Sequence, residues 1–408
     1  MKHNLYSNFL RSLWQLAIPA TLLLTACDRS EAIIEPTVVG MDRVDSLEIS
    51  PNGPVLIANG ENQLQFALEC FYTADAEKKF KRSLLSDRID ASLVTITASD
   101  GQTFKADQPY STKATTDSVH FTASYNGVTS GKVSVALRQP STETLKRLRI
   151  PIVFTAVYSN YSSTYIANFN KELLQATVDR ANKVFAGTLS KTPNRIDSRI
   201  EFYIKEVRTR LVTAAEDEDL LNFMKTTYMS DVDQALHVWI LDKSELSGLR
   251  AKNVKPRYTL GNPSDIPGLS LRKVTSAPAL TSVSPENAVL IINFADLYRN
   301  SSGLAGYRFE TMLGRYYGLL LAGEVFDYFP YNGEDVDYCP DTYSYNARGS
   351  APDKYTLAKT GQRSYIYASY NLMEENSACN SISEDQVKRI RQVIKDCPFR
   401  QHAEEVSN

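Results

Sequence analysis

From about residue 40 to 140, apolar and polar positions alternate in short runs. They are Leu47–Ile49, Val55–Ala58, Leu64–Tyr72, Val94–Thr97, Val119–Tyr125 and Val133–Leu137. Turn formers separate them: Pro51-Asn52-Gly53-Pro54, Asn59-Gly60, Asp100-Gly101 and Asn126-Gly127. A period of two puts one set of side chains on one face, so each run predicts a half-buried strand. His120 alternates with Val119 and Phe121 and is therefore expected on the polar side of its strand.

Short, evenly spaced strands predict an immunoglobulin-like β-sandwich over residues 41–140. Gln139 to Thr144 reads as a linker, and the pattern then changes. Ile150 to Val157 is a dense apolar run, as in a strand covered on both faces. Leu174, Val178, Ala181 and Phe185 mark one helix face, and Gly187 is its stop signal. Ile200, Phe202 and Ile204 alternate; Leu220, Leu221 and Met224 predict a short helix; Leu236–Leu241 and Val289–Ile292 predict strands. Residues 243–287 read as a long surface loop. Ser383 with Gln386 three residues on is a capping-box pattern, followed by Val387, Ile390 and Ile394 on one face.

The first residues read as a targeting segment. Lys2, His3 and Arg11 precede an apolar stretch from Leu13 to Ala26, short of the roughly 20 residues a membrane span needs. It ends in Leu24-Thr25-Ala26-Cys27, which resembles the lipobox of bacterial lipoproteins. That resemblance implies a signal peptide over 1–26, a lipid on Cys27, a tether over 27–40, and a cell-envelope protein held at the outer membrane.

Charge and cysteines narrow the partners. The chain has 45 basic and 47 acidic residues, without the basic surplus of a nucleic-acid binder. Export permits disulfides. Cys70 shares the face of Leu64, Phe66 and Leu68 and is expected in a core as an inert thiol. Cys339, Cys379 and Cys397 lie near the end; Cys339 with Cys379 is the favoured pair, with connectivity left open.

The most informative segment is Thr311-Met312-Leu313-Gly314-Arg315-Tyr316-Tyr317-Gly318-Leu319-Leu320-Leu321. Its glycine spacing resembles the metzincin active-site helix, H-E-x-x-H-x-x-G-x-x-H. Asp337-Tyr338-Cys339-Pro340-Asp341-Thr342 is similar to a segment of pappalysin-like members. Tyr370-Asn371-Leu372-Met373 looks like a Met-turn carrying Met373, Asp385–Ile390 resembles the closing helix, and Arg149–Phe154 resembles the opening strand. In order, these resemble the bacterial zinc-dependent metalloproteinase lipoproteins. The resemblance implies an α+β chain: the sandwich, then a metzincin-like α/β domain over 145–400 with a mixed sheet, and a C-terminal tail over 401–408.

The chemistry of that family needs two histidines four apart on one helix face, a third ligand after the glycine turn, and a glutamate to activate water. Aligned by its glycines, this chain has Thr311 and Arg315 at the histidine positions, Met312 at the glutamate and Leu321 at the third ligand. Leucine offers no donor, and arginine is a fixed cation. The 4 histidines, His3, His120, His237 and His402, all lie away from the motif in sequence; His237 reads as a packed strand residue. Glu324, Asp327, Glu334, Asp335 and Asp337 form an acidic stretch that reads as a solvated loop, with a hard cation such as calcium as the alternative. The expected function is a membrane-tethered pseudo-metallopeptidase without a metal cofactor, binding a peptide or protein partner in its cleft. The alternatives are a peptidase with an unconventional site, and an adhesin or glycan-binding module using the sandwich or the Tyr158–Tyr165 stretch.

Overall fold

The computed structural model describes residues 39–75, 79–158, 169–241, 255–294, 297, 308–324, 336–346, 355–358, 364–367, 369–374 and 380–406. The chain is α+β with several sheets. Its first part contains β1 (Ser46–Pro51), β2 (Val55–Ile57), β3 (Phe66–Asp75), β4 (Phe80–Ser83), β5 (Thr95–Ala98), β6 (Thr103–Lys105), β7 (Ser118–Tyr125), β8 (Val128–Thr129) and β9 (Val133–Arg138). One sheet has the order β1-β3-β4; the other has the order β2-β9-β7-β5-β6, with β8 pairing β7. Alternation does what the sequence pattern predicts: β7 buries Val119, Phe121 and Ala123 and leaves the residues between them less covered. Both sheets feed a single apolar cluster containing Leu47, Ile49, Cys70, Ile96, Phe121 and Val135. Phe121 lies edge-on to Phe66 at 4.8 Å and to Tyr110 at 4.9 Å between ring centroids, the favourable aromatic arrangement.

The second part runs through β10 (Arg147–Tyr158), α1 (Lys171–Phe185), β11 (Ile200–Leu211), α2 (Ala214–Glu218), α3 (Leu220–Tyr228), β12 (Leu236–Leu241), β13 (Tyr258–Thr259), β14 (Arg272–Lys273) and β15 (Leu290–Asn293). It continues with α4 (Phe309–Tyr316), β16 (Gly323–Glu324), β17 (Tyr345–Asn346), β18 (Tyr355–Ala358), β19 (Ser364–Tyr367), α5 (Glu384–Asp396) and β20 (Glu404–Val406). The main sheet has the order β11-β10-β12-β15, all parallel, and β20 pairs antiparallel with the start of β10. Pro151, which has no N–H to give, falls where the pairing of β10 changes from β20 (Arg147–Arg149) to β12 (from Ile152).

Both faces of this sheet are covered. Ile150, Ile152, Phe154, Leu236, Val238 and Ile240 join α1, α4 and α5 in one core. Val157, Trp239, Leu241 and Ile291 face the other way, onto Leu220 and Met224 of α3. The local signals in the sequence explain the helix ends. Asn170 caps α1 by accepting from Leu173 N at 2.8 Å. Gly187 ends that helix at φ 64°, where a Cβ would come 2.7 Å from Ile196 O. Ser383 and Gln386 close a reciprocal capping box at the start of α5.

Two segments differ from the sequence reading. Residues 255–287 are more than a surface loop. Leu260 N donates to Asp396 O at 2.8 Å, Arg389 Nη2 donates to Pro267 O at 2.7 Å, and Ile266 and Val283 are buried. Within the stretch 401–408, read as a tail, residues 404–406 form β20 on the main sheet and His402 is buried.

Candidate functional site

The segment singled out by its glycines forms α4, in which all eight residues are buried. The helix ends at Tyr316, and the chain turns at Gly318, whose φ is 84°. A side chain there would be strained, and its Cβ would also come 2.7 Å from Val393 Cγ2 on α5. Gly314 has a different task. A Cβ on it would lie 2.8 Å from Met373 Sδ, so the bare backbone lets Met373 pack against the helix. Two hydrogen bonds fix this approach. Thr311 Oγ1 donates to Leu372 O at 3.0 Å, and Ala322 N donates to Met373 O at 3.1 Å. Helix, turn and methionine loop thus form one packed unit.

The four positions that would bind and activate a metal face this interior. Met312 belongs to the apolar core, and Leu321 packs against it. Thr311 is 2% exposed with its hydroxyl engaged, and Arg315 is 7% exposed and engaged by its neighbours. This donor set does not fit zinc. One candidate oxygen is a neutral alcohol that gives its proton to a carbonyl, the second position is a fixed cation, and the third is a hydrocarbon. Among the described residues no cluster of His, Cys, Asp and Glu is arranged to hold a metal ion. Glu310 is no substitute base, since Arg180 Nε binds its Oε1 at 2.8 Å and Arg308 Nη1 lies 3.7 Å away.

The sequence placed His402 far from the motif, but the fold brings it against α4. Its Nε2 lies 3.1 Å from Tyr316 Oη, and burial pushes its pKa down to about 3, so the ring is neutral. Arg400, fully buried, stacks 3.5 Å over the Tyr316 ring. Its guanidinium donates to Tyr316 O at 2.7 Å and to Asn287 O and Phe399 O at 3.0 Å. The C-terminal segment therefore clamps the motif helix from behind. No local pattern around Arg400 announces this, because its partners lie up to 113 residues away.

A second polar cluster joins the two parts of the chain. Arg138, at the end of β9, binds Glu384 Oε2 and both carboxylate oxygens of Asp385, each at 2.9 Å. Asp341 is fully buried beneath, accepting from Ser383 Oγ at 2.7 Å and from Asp385 N at 3.0 Å. Burial and the neighbouring Asp385 push the Asp341 carboxyl up to about 7. Backbone bonds reinforce the junction: Ile57 N donates to Pro193 O at 2.8 Å and Gln63 N to Lys191 O at 2.9 Å. A cleft of about 500 Å³ opens beside it, lined by Asn59, Glu143, Arg195, Asp197, Lys388 and Arg391 among others.

Of the remaining expected features, Cys70 is a fully buried thiol whose pKa burial pushes up to about 11. Cys339 stands as a buried free thiol, and its favoured partner Cys379 lies outside the described residues. Cys27, Tyr161, Tyr165, Asp327, Glu334 and Asp335 also lie outside them. From the acidic stretch, Asp337 is buried and turned inward, accepting from Thr342 Oγ1 at 2.6 Å and Cys339 N at 3.1 Å. This is a local loop cap. His237 is fully buried within β12, as a packed strand residue, and His120 Nδ1 sits 2.7 Å from Ser134 Oγ. No described helix is long and apolar enough to cross a membrane.

No protein-family model and no curated protein matches the chain. Among solved structures it is similar to one described as a chaperone–substrate complex, at 8% identity and a TM-score of 0.25. The match covers 70% of this chain and 53% of that one, so the chain spans about half that protein's length. The functional reading therefore rests on the residues themselves.

Proposed function

We propose that this is an envelope lipoprotein, anchored to the outer membrane through Cys27. In this reading an immunoglobulin-like sandwich carries a metzincin-like domain that binds a peptide or protein partner without cutting it. The observation that carries the non-catalytic reading is the state of Thr311 and Arg315. Both sit on the buried helix where histidines would be required, one bonded to the Leu372 carbonyl and the other a permanent cation. Support for the scaffold comes from the turn at Gly318 and from the seat of Met373 against Gly314. The parallel strand order ahead of α4 adds to it. Loss of ligands removes both the Lewis acid and the activated water, so the ancestral chemistry has no route.

The test is metal analysis of the purified protein, together with a broad peptide library. The expected result is sub-stoichiometric zinc and no chelator-sensitive cleavage. Stoichiometric zinc, or cleavage abolished by a chelator, overturns the proposal in favour of a peptidase with an unconventional site. A variant carrying Thr311→His, Met312→Glu, Arg315→His and Leu321→His that gained zinc would sharpen the link to the scaffold.

A further inference from the structure

Arg138 ends β9, and its main chain is tied to the first part, where Ala58 N donates to Arg138 O at 2.9 Å. Its guanidinium crosses to the second part and meets three carboxyl groups. Glu384 Oε2 and both Asp385 oxygens lie at 2.9 Å, and Asp341 Oδ2 lies at 3.6 Å. Lys388, one turn along α5, reaches Glu384 at 2.9 Å and Asp385 at 3.3 Å. Two cations thus face three carboxyl groups. The other charged groups on these elements have partners of their own. Arg389 donates to the carbonyls of Gly318 and Pro267, and Asp337 accepts from Thr342 Oγ1 and Cys339 N. Arg195, ahead of β11, donates to Gly187 O at 2.7 Å and lies 3.9 Å from Glu61. The described histidines are elsewhere: His120 on β7, His237 on β12 and His402 against α4.

Like charges sharing one site disfavour one another, and the least solvated carboxyl keeps its proton longest. That group is Asp341, whose side chain is wholly buried while those of Glu384 and Asp385 are not. Against the cost of burial, Arg138 holds the Asp385 carboxyl below the usual carboxylate range. Burial and then Asp385 push Asp341 up to about 7. Its surroundings suit either state. Ser383 Oγ, 2.7 Å from Oδ1, gives a proton to the carboxylate or accepts one from the carboxylic acid. A cavity of about 20 Å³, room for one water, is lined by Asp341, Ser383 and the β1–β2 turn Asn52-Gly53-Pro54.

We infer that this junction is a proton-controlled latch: the two parts dock tightly while Asp341 carries its proton and loosen when it gives the proton up. Ionised Asp341 adds a third negative charge at the start of α5, at a depth where water screens it poorly. The loop beneath transmits the change. Asn194 Nδ2 donates to Asp341 O, and the neighbouring Pro193 and Lys191 carbonyls accept from Ile57 N and Gln63 N of the first part. Glu384 and Lys388 also line the cleft of about 500 Å³, together with Asn59 and Glu61 of the first part. The latch therefore sets how far apart the walls of that cleft stand.

The experiment is hydrogen–deuterium exchange of the full chain between pH 5 and 8, read by mass spectrometry. Each rate is divided by that of an unstructured peptide at the same pH. Ile57 and Gln63 report the junction, and Phe121 in β7 reports the core of the first part. Protection at Ile57 and Gln63 is expected to stay below that of Phe121. It is expected to fall about tenfold from pH 6 to 8, the ratio that a carboxyl at about 7 when docked and 3.8 when released dictates. Asp341→Asn, neutral and of the same shape, is expected to keep the pH 6 protection at pH 8. Asp385→Asn removes the neighbouring charge and is expected to move the fall to lower pH, a readout that remains if the first variant does not fold. Wild-type protection that does not change with pH overturns the latch. A fall that persists in Asp341→Asn, or whose midpoint is unmoved in Asp385→Asn, belongs to another group and overturns it. Protection at Ile57 and Gln63 equal to that of Phe121 at every pH means that the junction opens only when the fold is lost, and overturns it as well.

Discussion

The two parts of the chain solve burial differently. The core between the two sheets of the first part is almost wholly apolar, with Leu47, Ile49, Cys70, Ile96, Phe121 and Val135 in it. The second part buries charges as well: Glu310, Arg315, Asp337, Asp341, Arg389 and Arg400 are each less than a tenth exposed. Buried charges cost free energy unless they are paired or hydrogen-bonded. Glu310 is held by Arg180, Asp337 by Thr342 and Cys339 N, Asp341 by Ser383 and Asp385 N, Arg389 by the carbonyls of Gly318 and Pro267, and Arg400 by three carbonyls. The comparison teaches where the polar groups of the second part are spent. At the motif helix, Glu310 is taken up by Arg180 and the Thr311 hydroxyl by the Leu372 carbonyl.

The contrast is open to attack, and the largest effect is expected at Arg400. Arg400→Ala leaves the carbonyls of Tyr316, Asn287 and Phe399 without their charged donor. It is expected to cost roughly 3–5 kcal/mol, read as a fall in the urea midpoint at constant slope. A loss within the range of an exposed substitution would show that the C-terminal clamp does not hold the motif helix.

Asp341 tests the junction through pH. Its folded pKa, about 7, stands above the ordinary 3.8, so between these values the folded state binds the extra proton. Stability from this group is fully present below about pH 4 and is lost as pH rises toward 7, with a slope of up to about 1.4 kcal/mol per pH unit. Asp385 has a lowered pKa and acts in the opposite sense only at more acid pH. Buried neutral His402 contributes the opposite sign below about pH 6.5, so Asp341→Asn should shift the slope of stability against pH between 4 and 7 in the positive direction relative to the wild type, read by denaturant titrations. An unchanged slope would remove Asp341 as its source.

Gly314→Ala should cost about 1–3 kcal/mol, because the new methyl group meets Met373 Sδ. Pairing it with Met373→Ala should recover part of that loss in a double-mutant cycle. Strict additivity would mean that the methionine loop is not seated on the helix. The smallest effect is expected at the caps. Ser383→Ala removes a capping box and the bond to Asp341, for roughly 1–2 kcal/mol. Thr213→Ala, in the exposed box of α2, should cost less. Equal losses in thermal melts would erase the distinction between a cap tied to a buried carboxylate and one at the surface.

The sequence by itself determined what depends on near neighbours. Alternation in β7, the stop at Gly187, the Ser383–Gln386 box and the turn at Gly318 are set within a few residues, and each is visible as a pattern. So is the chemistry of the motif positions, since no fold can make a metal ligand of the Leu321 hydrocarbon or of the fixed Arg315 cation. Tertiary structure alone decided how the charged interior is satisfied. Thr311 meets Leu372 across 61 positions, Arg138 meets Asp385 across 247, and Tyr316 meets His402 across 86. Nothing periodic links such pairs, because a hydrogen bond between distant segments leaves no spacing rule in the chain. The same division explains β20 and the docking of residues 255–287 on α5. Their local sequence is polar and irregular, and only the exposed edge of β10 and the surface of α5 give those segments partners.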